Sequence, residues 1–330
     1  MPNAWGLYDM HGNVFEWCLD RFGDYPIKAV TDPVGPATGS ERIARGGGYP
    51  FLAWGCRSAF RAYSYPDTSG NFLGFRVALT STKDITIPLS DMVDLDLIWI
   101  EPGTFTMGSP EDEPGRNKDE TQHKVTLSKG YWLGQYEITQ AQYRAIMPSN
   151  PSEFMGADLP VESVSWEDAM AFCKKLTAKE KDAGRLPAGY EYTLPTEAQW
   201  EYACRAGTTT ALYSGKDLTS TGNCPNVNEL AWYKYNSGGK THEVGQKLPN
   251  AWGLYDMCGN VFEWCLDWYG DYPASSVMDP QGASTGSFRV IRGGGWISYA
   301  YSCRSAYRGY YYPDDRDYCY GFRIALAPVK

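Results

Sequence analysis

Eight tyrosines crowd residues 296–320, a stretch that reads WISYAYSCRSAYRGYYYPDDRDYCY. Tyrosine gives a large amphipathic contact area at low rotamer cost, so such a cluster suits recognition of a ligand better than bond-making chemistry. A core strand would alternate with Val, Ile or Leu at period two, and this stretch does not. Tyr310, Tyr311 and Tyr312 are consecutive and must send side chains to both faces of any extended segment, while Pro313, Asp314, Asp315 and Asp317 belong in a solvent-facing loop. Grouped exposed aromatics mark an interaction surface. The residues expected to touch a ligand are Ser298, Tyr299, Tyr301, Ser302, Tyr307, Tyr310, Tyr311, Tyr312, Asp315, Asp317, Tyr318, Cys319 and Tyr320. The competing reading is an aromatic patch covered by the first 80 residues of the chain.

Residues suited to covalent or metal chemistry are sparse. Nine cysteines form an odd set with no CxxC spacing, which indicates neither a zinc ribbon nor a thioredoxin-type site. Free cysteine ordinarily behaves as a small buried apolar residue. His11, His123 and His242 lie far apart, and a three-histidine iron or zinc site would need all of them to converge. The net charge of −9 argues against a phosphate-binding surface, so nucleic acid is not an expected partner. With 43% hydrophobic residues and a mean hydropathy of −0.45, the balance is that of a soluble globular chain. Apolar runs break within a few residues, far short of the roughly 18–20 that a membrane span requires. The opening MPNAWGLYDM shows no export signal.

The tyrosines sit in the second of two copies. Residues 2–79 align without a gap to 249–326 at a constant offset of 247, with roughly 50 of 78 positions identical. Between 49–73 and 296–320, however, about 15 of 25 positions differ. One scaffold has been kept while one surface has been rewritten.

The elements that must position this surface are legible in part. Residues 1–80 read as a partial repeat, either packed against the complete copy or poorly stable alone. Residues 81–96, STKDITIPLSDMVDLD, read as a linker, and 97–330 as a complete domain with a variable region at about 296–320. LIWIEPGTFTMGS predicts strand, turn and strand, and HKVTLSKGYWLGQYEIT two more extended stretches. Thr139 with Gln142, Ser165 with Asp168 or Glu167, and Thr196 with Gln199 each announce a helix through a capping box. The second helix should bury Trp166, Ala169, Met170, Cys173 and Leu176, and the third should end at Gly207. After Gly207 the composition predicts long loops until the sheet resumes in FRVIRGGGW and GFRIALAPV.

Taken together, IWIEPGTFTMGS, VESVSWEDAMAFC, LPTEAQWEYACRAG, PNAWGLYDMCGNVFEWC, RVIRGGGW, CRSAYR and GFRIAL resemble the formylglycine-generating-enzyme, or sulfatase-modifying-factor, type of C-type lectin fold. The resemblance implies an α/β (α+β) architecture with a twisted antiparallel sheet, two helices and long loops. Formylglycine-generating members carry two copper-binding cysteines after the Arg-Gly-Gly segment. One corresponds to Cys303, but the other falls at Ser298, and a hydroxyl is a poor ligand for copper(I). The resemblance therefore implies binding without catalysis and without a required cofactor. A copper-dependent formylglycine-generating oxidase and a calcium-dependent carbohydrate-binding lectin are the alternatives. The family's calcium motif maps onto Asp256, Gly259, Val261 and Glu263, read either as a structural calcium site or as a turn whose acidic side chains cap backbone N–H groups.

At the positions of 297–320 where the second copy departs from the first, the residues are Ile, Ser, Tyr, Gly, Asp, Arg and Cys. All are reachable from an Asn AAC codon by changing adenines alone, and the first copy breaks the pattern at Trp54. With the fold, this resembles the variable proteins of diversity-generating retroelements. Arg292 to Gly295, Cys303 to Ala306, Pro313 with Asp314, and Gly321 to Arg323 would then hold the backbone while the side chains between them are exchanged. The implied protein is a hypervariable, receptor- or adhesin-like monomer at a bacterial cell surface, whose ligand is a protein or another cell-surface component.

Overall fold

The computed structural model describes residues 3, 7–25, 35, 36, 38–76 and 83–329. The chain divides into two units, Met1–Ser81 and Thr82–Lys330.

The described residues of the first unit form a four-stranded sheet of β1 (Phe15–Arg21), β2 (Arg42–Arg45), β3 (Ala62–Ser64) and β4 (Leu73–Gly74), in the order β3-β2-β1-β4, with a 3₁₀ turn at Ala53–Cys56. β1 runs antiparallel to β2 and parallel to β4. Its core is small. Phe15, Ile43 and Ala44 are buried, and the Phe51 ring meets Phe15 edge-on at 5.0 Å.

The second unit contains β5 (Ile85–Ser90), β6 (Val93–Ile100), β7 (Gly103–Met107), β8 (His123–Leu127) and β9 (Tyr131–Gly134), then α1 (Gln140–Ile146), α2 (Trp166–Asp182), β10 (Tyr190–Thr193) and α3 (Glu197–Arg205). There follow β11 (Phe262–Trp268), β12 (Val277–Met278), β13 (Arg289–Arg292), β14 (Gly309–Tyr311), β15 (Tyr320–Gly321) and β16 (Ala325–Pro328). These form a five-stranded sheet β10-β16-β9-β6-β5, a four-stranded sheet β14-β13-β11-β15 and a three-stranded sheet β12-β8-β7. The fold is α+β, with parallel pairs β11·β15 and β12·β8 among otherwise antiparallel strands. The order β14-β13-β11-β15 repeats that of β3-β2-β1-β4 strand for strand.

All three capping boxes form, and the first heads a third, short helix beyond the two expected of the fold. The left-handed residue ending α3 is Ala206, one before the expected Gly207, which also has positive φ. Residues 81–96 are not a linker throughout. Ile87, Leu89, Leu95 and Leu97 are buried, because β5 and β6 alternate apolar and polar residues at period two and lay one face on the core. Pro88 is tolerated because β5 is an edge strand.

Two apolar clusters flank the five-stranded sheet. One gathers Ile100, Leu133, Ala325, Trp200 and Met257 on the α3 side, and the other Leu97, Leu326, Phe172, Trp264 and Phe322 on the α2 side. Between Gly207 and β11 the chain is loop apart from one 3₁₀ turn, Pro225–Val227, and much of it is buried under hydrogen bonds to its own side chains.

Candidate functional site

The tyrosine window leaves β13 through three glycines. Gly294 sits at φ +76°, and a Cβ there would lie 2.9 Å from the Ser302 carbonyl oxygen, so only glycine lets the chain turn back on itself here. The 3₁₀ turn Ala300–Cys303, β14 and β15 then carry the window across the sheet.

Three buried arginines fix its backbone. Arg292 donates to the carbonyls of Ser305 (2.9 Å), Ala306 (2.9 Å) and Tyr307 (2.6 Å) and is paired with Glu201. Arg304 donates to the Tyr301 carbonyl at 3.0 Å, to Glu113 at 2.6 Å and to both oxygens of Glu120 at 2.7 Å. Arg308 forks onto Glu197 at 2.7 and 3.0 Å and donates to the Asp119 and Gly270 carbonyls. Planar guanidinium groups serve here because each satisfies a carboxylate and several carbonyls at once. Burial pushes the Glu113 carboxyl up despite its pairing with Arg304.

Between these pins the side chains turn outward. Tyr299, Tyr310, Tyr311, Tyr312 and Tyr318 are 39–52% exposed, and Tyr301 and Tyr307 are half-buried at the rim. The rings support one another: Tyr310 lies 4.1 Å from Tyr269, Tyr312 4.6 Å from Phe288, and Tyr301 5.8 Å from Tyr307. Lys234 donates to the Tyr299 hydroxyl at 2.9 Å and lies over its ring, showing that this surface accepts a cation on a tyrosine face.

Four expected contact residues face inward instead. Ser298 is buried, its hydroxyl accepting from Gly295 N–H at 3.0 Å, and Ser302 is buried within the 3₁₀ turn. Cys319 and Tyr320 are buried because the parallel pairing of β15 with β11 draws them into the core. Asp315 and Asp317 are half-buried and already serve the loop, accepting from Tyr312 N–H at 3.0 Å and Cys319 N–H at 3.1 Å. Exposed Ile297 joins the surface, as does a cleft of about 650 Å³ between Asn117, Lys118, Asp119 and Tyr269 on one side and Tyr307, Tyr310 and Tyr311 on the other. Lys118 and Asp119 carried no sequence signal. Arg308 did, being identical to Arg61 in the other copy.

The residues considered for chemistry are placed otherwise. Cys303 is fully buried, and burial pushes its thiol up to about 12, which suppresses the thiolate needed for a nucleophile or a metal ligand. The calcium set does not fit as expected, because both oxygens of Glu263 accept from Arg323, at 2.6 and 2.7 Å, and one also accepts from Trp200 Nε1 at 2.7 Å. A guanidinium stands where the cation would. Asp256 caps Gly245 N–H at 2.7 Å with one oxygen, and its other oxygen is buried without a partner. Burial raises its carboxyl to about 6. Val261 N–H donates to Glu137, whose carboxyl is raised well above the usual range by burial and then by Asp256. Gly259, at φ +82°, makes the turn and donates to the Gly293 carbonyl. Among the described residues no three ligating side chains gather in a metal-holding group.

This architecture has known relatives. The family described as sulfatase-modifying factor enzyme 1-like domain matches residues 1–81 and 92–328. Chaperone protein LppX of Paenibacillus barcinonensis is 31% identical over 256 residues, covering 65% of this chain and 83% of that one. The formylglycine-generating enzyme of Streptomyces coelicolor is 37% identical over 178 residues, 50% of this chain and 52% of the enzyme. The chain thus spans about half the length of the formylglycine-generating enzymes it matches. Among solved structures, Treponema denticola variable protein 1 superposes with a TM-score of 0.64 at 32% identity, covering 75% of this chain and 100% of that one. With its C-type lectin fold and matching motifs, the chain belongs to the family of sulfatase-modifying factor enzyme 1-like domains.

Proposed function

We propose that the second unit is a hypervariable ligand-binding module, diversified by a retroelement, which binds a protein or another cell-surface component as a monomer at the bacterial cell surface and performs no catalysis. The observation that carries this reading is the alternation within 296–320 of arginine-pinned backbone with outward, mutually supported tyrosines. Exchange of an outward side chain leaves the pins untouched, because they grip carbonyls. Likeness to a structure described as a variable protein supports the same reading. So does the concentration of differences between the two copies in this window. No helix among the described residues is long and apolar enough to cross a membrane.

Formylglycine-generating relatives favour an oxidase as the second reading. Ser298 and the buried thiol of Cys303 count against it. The deciding experiment is to sequence the 3′ end of the gene from many cells of one culture. Diversity confined to codons of 297–320, drawn from adenine changes, is expected. Uniform sequence together with copper-dependent turnover of a sulfatase-derived peptide would replace the proposal with the oxidase.

A further inference from the structure

The first unit carries an open groove of about 450 Å³, lined by residues that include Met10, Glu16, Trp17, Arg45, Ser58 and Arg76. At the offset of 247, Met10, Glu16, Arg45 and Ser58 correspond to Met257, Glu263, Arg292 and Ser305. In the second unit those four residues hold helix α3. Trp200 Nε1 donates to Glu263 at 2.7 Å, Arg292 pairs with Glu201, and the Arg292 guanidinium lies 5.3 Å from the Trp200 ring. The Cys204 thiol reaches the Met257 carbonyl at 3.7 Å and the Ser305 hydroxyl at 3.5 Å.

The first unit keeps the receptor half of this arrangement. Arg76 pairs with Glu16 at 2.6 Å, as Arg323 does with Glu263. Arg45 donates to the Ser58 carbonyl at 3.0 Å, as Arg292 does to Ser305 at 2.9 Å. Gly12 N–H donates to the Gly46 carbonyl at 2.7 Å, against 2.8 Å for Gly259 and Gly293, and Gly46 and Gly293 have φ of 90° and 91°. The described residues of the first unit include no helix half. Among the described residues no carboxylate pairs with Arg45, and Leu7 and Met10 are 41% and 37% exposed where Leu254 and Met257 are fully buried.

We propose that this groove is a helix-binding site whose ligand is an amphipathic helix of the α3 kind, with Trp followed by Glu and a small Ala/Cys face, carried on a polypeptide other than the α3 this chain already buries. The Trp ring enters beside Met10 and donates its N–H to Glu16, and the adjacent Glu neutralises Arg45 while that arginine keeps its carbonyl contacts. Such a helix-in-groove contact reads anchors at helical spacing, and charge complementarity sets its direction.

The test titrates the full chain with a synthetic peptide of residues 193–208, TLPTEAQWEYACRAGT, and follows amide exchange in β1 and β2. A peptide this short is a marginal helix in water, so a second protein carries it through a flexible Gly/Ser linker ahead of residue 1, which raises its effective concentration. The expected result is protection of residues 15–21 and 42–45, weakened at least tenfold by Trp200→Ala or Glu201→Gln in the peptide. Pairing Arg45→Glu in the chain with Glu201→Arg in the peptide should restore it. No added protection even in the linked protein, equal binding of the Trp200→Ala peptide, or protection of β1 already complete without peptide would overturn the proposal.

Discussion

Replacing Arg304 with methionine separates pinned backbone from replaceable surface. The guanidinium is fully buried and is the ion-pair partner of Glu113 and Glu120, whose side chains are 2% and 0% exposed. Methionine fills much of the volume but strands two buried carboxylates and frees the carbonyls of Gly115 and Tyr301. Breaking a buried pair from one side costs about 3–5 kcal/mol, because the remaining charge loses its partner without regaining water. An outward tyrosine such as Tyr299 buries about half its side chain, so alanine there should cost about 1 kcal/mol. Because the chain has two units, a single denaturation midpoint is not a defined quantity, and the assay is hydrogen exchange of the slowest amides in β9. Adding Glu113→Gln and Glu120→Gln to the Arg304 variant should recover at least half of the loss, since the three residues act as one network. A cost below about 1 kcal/mol for Arg304→Met, or a larger one for Tyr299→Ala, would refute the pinned-backbone reasoning.

Asp256 supplies a pH test. Its carboxyl is raised from 3.8 to about 6, so its contribution to stability is complete below the ordinary value and is lost as pH rises through about 6. Asp256→Asn should therefore stabilise the second unit at pH 7.5 by up to about 3 kcal/mol and change little at pH 3.5, read from hydrogen exchange of the β9 amides at both values. Adding calcium to chelator-treated protein should leave the exchange of the β9 amides unchanged; a slowing of about tenfold or more would show a cation competing with Arg323 for Glu263. Cys303→Ser should alter neither ligand binding nor copper uptake, measured by metal analysis after dialysis, and loss of stoichiometric copper in the variant would restore the oxidase reading. Alanine at Tyr311 should weaken a ligand selected against this variant at least tenfold while leaving β9 exchange unchanged.

What could be read from sequence followed from local rules. The three hydroxyl caps fixed the helix starts to the residue, because a capping box needs only four consecutive positions. Strands with a turn between them were equally plain. The β5–β6 hairpin was missed although Ile85, Ile87, Leu89 and Val93, Leu95, Leu97 alternate, because Pro88 and the surrounding charge resemble a connector until the pairing partner is known. In the window, the sequence distinguished exposed Tyr310, Tyr311 and Tyr312 but misplaced Cys319 and Tyr320, whose burial depends on a parallel partner some 58 residues upstream, Phe262 facing Tyr320. The carboxylates that anchor the arginines lie on loops and a helix far back in the chain, at Glu113, Glu120, Glu197 and Glu201, and no spacing rule connects them to 292–308.

No residue from 295 to 320 has a positive φ. The nearest left-handed backbone is at Gly293 and Gly294, just before the window begins. Every amino acid except proline accepts right-handed or extended geometry, and every one of them offers the same carbonyl to Arg292 and Arg304, while Arg308 grips carbonyls outside the window, those of Asp119 and Gly270. Substitutions at Tyr299, Tyr310 and Tyr318 should then combine nearly additively, with no position vetoing what another has become. A population of such chains could search combinations of residues one codon at a time, and few members would be lost to misfolding along the way.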